Sequence, residues 1–226
     1  MSPELTEKLL KKYPKIFHYV ENPIKGPQLP ITLFMFECGD GWYNIIDALC
    51  ENIQHSIDWS ERMYRIDTEH NNMLEQVLSG NRKAYDEYFT TSIPDEKKKE
   101  EYFQLWLKTA KMREVKEPIP QVIAVQVKEK FGTLRFYIDG GNEVTYAMIS
   151  MAESMSARTC EKCGAPGKLR GKTWFYTACD EHTEECDKFD DDEDGDEGNC
   201  PKCDEPWSGT SCGSECGWIK GDGDGE

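Results

Sequence analysis

Apolar residues recur every three or four positions through much of the N-terminal half, which is the spacing of helices with one buried face. A short first helix is predicted over residues 7–13. The strongest stripe follows a Gly-Asp-Gly turn at residues 39–41 and comprises Trp42, Ile45, Ile46, Leu49, Ile53 and Ile57. Residues 31–36, by contrast, form a short, mainly apolar run, which we interpret as a strand.

Two further helices are expected before residue 120. The weaker one has an apolar side formed by Met73, Leu74, Val77 and Leu78 and stops at Gly80. The stronger one begins at residues 92–95, where a proline and an aspartate provide start signals. Its inward side consists of Phe103, Trp106, Leu107 and Ala110.

After residue 120 the period changes to two, which is typical of half-buried strands. Residues 121–127 and 131–138 therefore predict an antiparallel hairpin. Its two faces consist of Leu134, Phe136 and Ile138 on one side and Thr133, Arg135 and Tyr137 on the other. A helix with a stripe of Val144, Met148, Met151 and Met155 follows. Methionines can form an adaptable binding face, but this spacing favours a buried core position.

Two quartets of sulfur and imidazole donors lie in the C-terminal third. In each, donors come as close pairs, an arrangement that places four ligands around one tetrahedral Zn²⁺. The first quartet is Cys160, Cys163, Cys179 and His182, and the second is Cys200, Cys203, Cys212 and Cys216. Four protein ligands indicate closed, structural zinc sites, because catalytic zinc usually keeps an open position. Cys186 lies at helical spacing from Cys179 and is an alternative to His182 as fourth ligand.

The residues between the first donors predict a small fold around the metal. Gly164 allows a tight knuckle, and segments 168–170 and 173–176 can pair as a hairpin around Gly171. This order is treble-clef-like, whereas the second quartet is ribbon-like. The predicted fold class is therefore α+β: a mainly helical body with an antiparallel β-hairpin, plus two small zinc-binding modules.

Charge separates the chain into a body and a tail. The 226 residues have a net charge of −16, and residues 183–226 hold 16 acids against three lysines. We predict a body over 1–158, a first zinc module over 159–186, an acidic disordered linker over 187–199, a second zinc ribbon over 200–220 and a disordered tail over 221–226. The acidic tail could imitate a phosphate backbone or serve only as a solubilising spacer.

No secretory signal and no membrane-spanning run of about 18 apolar residues is present. Together with cysteines at metal spacing, this favours thiolate ligands in a reducing, cytoplasmic compartment.

Other candidate chemistry has weaker support. Cys38 could be a nucleophile, but a buried thiol is the favoured interpretation. Asp190, Asp192, Asp194 and Gly195 match the start of a calcium loop, yet Pro201 stands where its last ligand should be. A metal-dependent nuclease would need converging carboxylates, from Glu37, Asp40 and Asp47 or from Asp95 and Glu114. We assign no catalytic residue and expect a non-enzymatic protein.

A mildly basic segment offers a candidate partner surface. Residues 128–172 hold eight bases and five acids, with aromatic residues between them. This composition indicates either a nucleic-acid face or an ordinary solvated hairpin. The solvated hairpin is the favoured interpretation and nucleic-acid binding the disfavoured one, because the acidic linker would compete for the same face. The candidate partner-binding residues are Lys128, Lys130 and Arg135, together with Trp207 and Trp218 of the second zinc module.

Several short motifs, taken in order, resemble a family of small zinc-binding bacteriophage and prophage proteins. They are CGDGW at 38–42, FGTLRFY at 131–137, CEKCG at 160–164 and CDEH at 179–182. The resemblance implies a viral origin, a bacterial host cell and a bound zinc. The leading hypothesis is that the chain binds and modulates a host protein involved in defence, transcription or replication, and the alternatives are a nucleic-acid-binding accessory protein and a metal-dependent nuclease.

Overall fold

A computed structural model describes residues 1–21, 29–89, 95–171 and 174–183. The helices are α1 (Pro3–Lys12), α2 (His18–Glu21), α3 (Pro30–Phe34), α4 (Tyr43–Leu78), α5 (Arg82–Tyr88), α6 (Glu96–Thr109) and α7 (Glu143–Ser156). The strands are β1 (Phe36–Glu37), β2 (Ile123–Lys130), β3 (Thr133–Asp139), β4 (Lys168–Arg170) and β5 (Tyr176–Ala178), and 3-10 turns cover Asp40–Trp42 and Asp180–His182. The fold is α+β, as predicted.

The described residues form two compact units. One comprises residues 1–53 with the described residues after position 120, and the other is Gln54–Pro120. The predicted second zinc module, acidic linker and tail, with Cys186, Trp207 and Trp218, lie outside the described residues. None of the helices in the described ranges combines the length and apolar character that a membrane span requires.

A three-stranded sheet of order β1-β2-β3 forms the centre of the first unit. β2 and β3 pair antiparallel, with Val127 opposite Phe136 and Lys128 opposite Arg135, and β1 joins β2 in parallel. Leu134 and Phe136 are buried, whereas Tyr137 is exposed. The predicted hairpin and the assignment of its faces are therefore confirmed, because the period-two pattern places alternate side chains on opposite faces.

The stripe predicted before residue 58 is buried. Trp42, Ile45, Ile46, Leu49 and Ile53 are each at most 7% exposed in the first unit. Tyr43–Leu78 is one continuous helix, so the separate weaker helix predicted near Met73 is wrong. No proline or glycine interrupts that stretch. The helix ends at Leu78, just before Gly80, which is the predicted stop and has a φ of +98° that suits a glycine.

The strand predicted over residues 31–36 is also wrong. Residues Pro30–Phe34 form helix α3, and only Phe36 and Glu37 are extended. Pro30 is preset for the first turn of a helix, and the Thr32 hydroxyl donates a hydrogen bond to the Leu29 carbonyl. A short apolar run does not distinguish a buried strand from a buried helical turn.

Helix α7 packs through a different side from the one predicted. Its buried residues are Thr145, Ile149, Ala152 and Ser156, whereas Met151 is 63% exposed and Met155 49% exposed. The Ser156 hydroxyl and the Glu153 carboxylate accept hydrogen bonds from the backbone N–H groups of Leu134 and Phe136. The side with small and polar residues faces β3 because it satisfies the free edge of that strand.

The second unit has its own small core. Met73, Val77, Ala84 and Phe103 are buried, with Tyr85, Tyr88, Phe89, Trp106 and Leu107 packed against them. The Asp95 carboxylate accepts hydrogen bonds from the backbone N–H groups of Lys97 and Lys98 and caps α6. The inward positions predicted for Phe103, Trp106 and Leu107 are therefore confirmed.

Candidate metal centre

Four side chains converge on one point at the C-terminal end of the first unit. The ligand atoms of Cys160, Cys163, Cys179 and His182 all lie within 4.8 Å of one another. Cys163 Sγ is 3.7 Å from Cys179 Sγ, too far for a disulfide, whose sulfurs are about 2.05 Å apart. Two sulfurs bonded at about 2.3 Å to one tetrahedral ion would lie about 3.8 Å apart. This Cys₃His group could therefore hold a metal ion.

The imidazole of His182 takes part through Nδ1. That nitrogen is 3.2 Å from Cys179 Sγ and 3.7 Å from Cys160 Sγ. A 3-10 turn over Asp180–His182 brings the histidine back toward the cysteine that precedes it, and the His182 N–H donates to the Cys179 carbonyl. Among the described residues, His182 thus completes the group.

The first pair of sulfurs is held by a tight knuckle. The Gly164 N–H donates to the Cys160 carbonyl, and Gly164 has a φ of +78°. Burial opposes ionisation of the Cys160 thiol, but backbone N–H groups of Cys179, Cys163 and Lys162 lower its pKa to about 6. The knuckle therefore favours the thiolate that a metal requires.

Arg170 links the hairpin β4–β5 to the second pair of donors. Its Nε donates to the Ala178 carbonyl at 3.1 Å, and its guanidinium pairs with the Asp180 carboxylate. These two partners flank Cys179, and Arg170 is only 9% exposed. The arginine therefore orients the turn that presents Cys179 and His182.

The CGDGW motif docks on the knuckle. The N–H groups of Gly39 and Gly41 donate to Glu161 Oε1 (2.8 Å) and to the Glu161 carbonyl (2.7 Å), respectively. The indole N–H of Trp42, which is fully buried, donates to the Thr159 carbonyl. A Cβ on Gly41 would lie 2.1 Å from the Cys160 carbonyl oxygen, so only glycine fits. The sequence indicates only a turn at these glycines, and the two glycines just before a tryptophan are the pattern from which a close backbone contact could have been predicted.

A second contact attaches the metal module to the central sheet. The Thr177 hydroxyl of β5 donates to the carbonyl of Gly132, in the turn between β2 and β3, at 2.6 Å. A Cβ on Gly132 would lie 2.4 Å from Leu169 Cδ1 of β4. The turn of one hairpin thus lies directly against the other hairpin.

Cys38, the candidate nucleophile, and Cys50 both lie inside the first unit. Cys38 and Cys50 are buried, and burial raises the pKa of Cys38 to about 12 and that of Cys50 further. Both are therefore neutral thiols rather than activated nucleophiles.

Four of the five carboxylates considered for a nuclease have separate hydrogen-bond partners. Glu37 accepts a hydrogen bond from Gln126, Asp40 from the Ser2 N–H and Asp47 from Lys12. Asp95 caps α6 in the second unit. In the described ranges, the Cys₃His group is the one cluster of three or more potential metal ligands.

The exposed methionines line an apolar groove between the first turns of α4 and the C-terminal half of α7. It encloses about 420 Å³ and is lined by Ile45, Ala48, Leu49, Met148, Met151, Ala152 and Met155, with Asn44 and Asn52. The methionine stripe, which the sequence indicated as core, is therefore one wall of an open groove.

The candidate basic residues Lys128, Lys130 and Arg135 lie elsewhere, on the outer face of β2 and β3.

Comparisons with protein-family models, with curated proteins and with solved structures find no match to this chain.

Proposed function

We propose that this chain is a non-enzymatic, zinc-binding phage-type protein that binds and modulates a host protein. The motif resemblance supports the phage origin. The open methionine groove supports protein binding and is the observation on which the proposal depends. A component of host defence, transcription or replication is the class of partner we expect.

Zinc is the metal we assign to Cys160, Cys163, Cys179 and His182. Three thiolates and one imidazole are a soft donor set that suits Zn²⁺, and the spacing of the donor atoms fits tetrahedral coordination. The sequence of knuckle, hairpin and short turn is treble-clef-like. Zinc would link segments too short to build a core of their own, and no open ligand position is needed for this role.

The second quartet, Cys200, Cys203, Cys212 and Cys216, stays a prediction of a second structural zinc. Its residues lie outside the described part of the chain, as do Trp207 and Trp218. The proposed groove does not depend on them.

The groove suits a protein partner because of its side chains. Met151 and Met155 are unbranched and polarizable, so they adapt to the shape of an apolar segment. Leaving such side chains 63% and 49% exposed has no benefit for the folded chain alone, since burial would stabilise it. An amphipathic helix of the partner is the natural occupant of a groove between two helices.

Tagged wild-type chain, a Met151→Glu variant and a Tyr146→Glu control should be expressed in the bacterial host. Tyr146 is 54% exposed on the same helix but does not line the groove. A host protein retained by the wild type and the control, but lost with Met151→Glu, is the expected result. The protein should then bind the purified chain saturably.

Equal recovery of every host protein by the two variants would contradict the groove as the docking site. Recovery of no saturable host partner, in cells where the tagged chain is folded and zinc-loaded, would contradict the proposed function.

A further inference from the structure

Two large aromatic side chains project into solvent from adjacent hairpin turns. Phe131 is 66% exposed in the turn between β2 and β3, and Trp174 is 74% exposed before β5. The two side chains belong to neighbouring parts of the fold, because Gly132 lies against Leu169 of β4 and Tyr176 of β5, and Tyr176 is two residues after Trp174. Leu169 and Phe175 are also exposed, at 49% and 40%. We call Phe131, Leu169, Trp174 and Phe175 the aromatic tip.

Phe131 is held in an unfavourable backbone conformation. Its φ is +53°, and that of the following Gly132 is +75°, as in a two-residue hairpin turn of type I′. Asparagine or aspartate is the preferred first residue of such a turn, whereas a bulky residue at positive φ is strained. A strained residue that is also 66% exposed points to a contact outside the chain.

Three cationic side chains lie on the outer face of the sheet, beside the aromatic tip. Lys130 Nζ lies 5.3 Å from the ring centre of Phe131, and Lys128 Nζ lies 5.9 Å from that of Tyr137. Arg135 stands opposite Lys128 in the β2–β3 register. Within the described ranges, no carboxylate forms an ion pair with these three cations.

The two nearby carboxylates accept hydrogen bonds from other groups. Glu37 lies beside Lys128 in the β1–β2 register and accepts a hydrogen bond from Gln126. The carboxylate of Glu129 accepts the N–H of Gly132 at 2.6 Å, on the opposite side of the sheet from Lys128. The outer face is thus net positive, although the whole chain has a charge of −16.

We propose that the aromatic tip and the outer sheet face bind single-stranded nucleic acid. Unstacked bases would stack on Phe131 and Trp174, and backbone phosphates would contact Lys128, Lys130 and Arg135. Exposed rings beside a line of cations are the features that single strands require, since each base presents a flat surface and each linkage a negative charge. The bases of a duplex are already stacked and would not reach the rings.

This activity is independent of the methionine groove, with which it shares no residue. It also gives a physical reason why a chain with an acidic tail keeps a cationic sheet face. We expect the acidic residues 183–226 to weaken binding without abolishing it at low salt.

Fluorescence anisotropy with the zinc-loaded full chain provides the test. The probes are a labelled oligo-dT of about 20 nucleotides, an oligo-U of equal length and a duplex of matched length. We expect both single strands to bind more tightly than the duplex. If three cations contact phosphates, a plot of log K against log salt should have a slope of about −2 between about 50 and 200 mM.

The decisive variant is Phe131→Asn. Asparagine suits the turn, so the variant should be at least as stable as the wild type. It should nevertheless bind the single strand about 5-fold or more weakly, because a stacked base contributes roughly 1–3 kcal/mol. Replacing Lys128, Lys130 and Arg135 together by glutamine should bring the salt slope close to zero, and Tyr146→Ala should bind as the wild type does.

Equal affinity of the wild type and Phe131→Asn for oligo-dT and oligo-U would overturn the proposal, as would a preference for the duplex. It would also be overturned if Phe131→Asn lost a host protein while oligonucleotide binding was absent from the wild type, since the tip would then serve a protein partner.

Discussion

The backbone N–H of Gly41 donates a hydrogen bond of 2.7 Å to the carbonyl oxygen of Glu161, the residue that follows the first cysteine of the metal knuckle. The two residues are 120 positions apart in sequence. This bond, together with those from Gly39 to Glu161 and from Trp42 to Thr159, connects the residues just before the long helix α4 to the loop that carries Cys160 and Cys163. Metal binding and folding of the first unit should therefore depend on each other.

Removal of the metal should destabilise the first unit as a whole. A strong chelator should lower the melting temperature and change the fluorescence of the chain, because Trp42 donates its indole N–H to the knuckle residue Thr159. Melting followed by circular dichroism, with and without chelator, provides the measurement. An unchanged melting curve for a chain shown to be metal-free would contradict the structural role.

Elemental analysis should give two zinc ions per chain, and Cys163→Ser should lower the content by one. Cys203→Ser should remove the other ion if the second quartet binds as the sequence predicts. If the wild type bound one zinc ion per chain and Cys203→Ser did not change that number, the second site would be ruled out.

Gly41→Ala should be strongly destabilising and should weaken zinc binding. The added Cβ would lie 2.1 Å from the Cys160 carbonyl oxygen and 2.4 Å from the Gly164 nitrogen, both backbone atoms that cannot move without disturbing the knuckle. We expect a loss of about 2 kcal/mol or more in the free energy of unfolding. Denaturant titration and a competitive zinc chelator would measure the two effects.

Gly80→Ala is the matched control for that substitution. Its Cβ would meet nothing within 4 Å, so the change introduces only the strain of a φ of +98°. It should cost about 1–2 kcal/mol and leave zinc affinity unchanged. If both variants retained full zinc affinity, the Gly41 contact would not couple the helix to the metal site.

Arg170→Leu should weaken zinc binding by about 10–100-fold, because the arginine holds the backbone on both sides of Cys179. Arg170→Lys keeps the charge but not the planar fork, so it should recover little of the affinity. Competition with a colorimetric zinc chelator would distinguish the three proteins. Wild-type affinity in Arg170→Lys would show that charge alone is sufficient.

The first unit should lose stability in alkaline solution as its buried thiols ionise on unfolding. Burial, with the carboxylates of Glu161 and Asp40, raises the pKa of Cys38 from 9.0 to about 12. The folded state therefore keeps the thiol protonated where the unfolded state releases the proton. The contribution is fully present below pH 9 and is lost progressively between pH 9 and about 12.

Comparing the wild type with Cys38→Ala isolates this effect, because other alkaline groups titrate equally in both. The unfolding free energy of the wild type should fall more steeply above pH 9 than that of the variant. Parallel slopes would show that Cys38 ionises normally in the folded chain.

Short-range patterns in the amino-acid sequence were sufficient to predict three features of the structure. The Cys₃His group, the β2–β3 hairpin and the buried stripe from Trp42 to Ile53 depend on residues close together in the chain, where spacing dictates which side chains share a face or a loop. The strand predicted over residues 31–36 shows the limit, because a run of six residues, five of them apolar, is compatible with either a strand or a helix, and Pro30–Phe34 is helical.

Long-range packing settled the rest. Periodicity identified Met148, Met151 and Met155 as an apolar stripe on α7, but the adjacent side with Ile149 and Ala152 became the buried one because Ser156 and Glu153 satisfy the edge of β3. Likewise, Gly39 and Gly41 indicated a turn. A side chain is excluded at these two positions by the backbone of Cys160 and Glu161, more than a hundred residues away. Spacing along a chain specifies which side chains lie together on one element, and only the folded arrangement specifies which other element they meet.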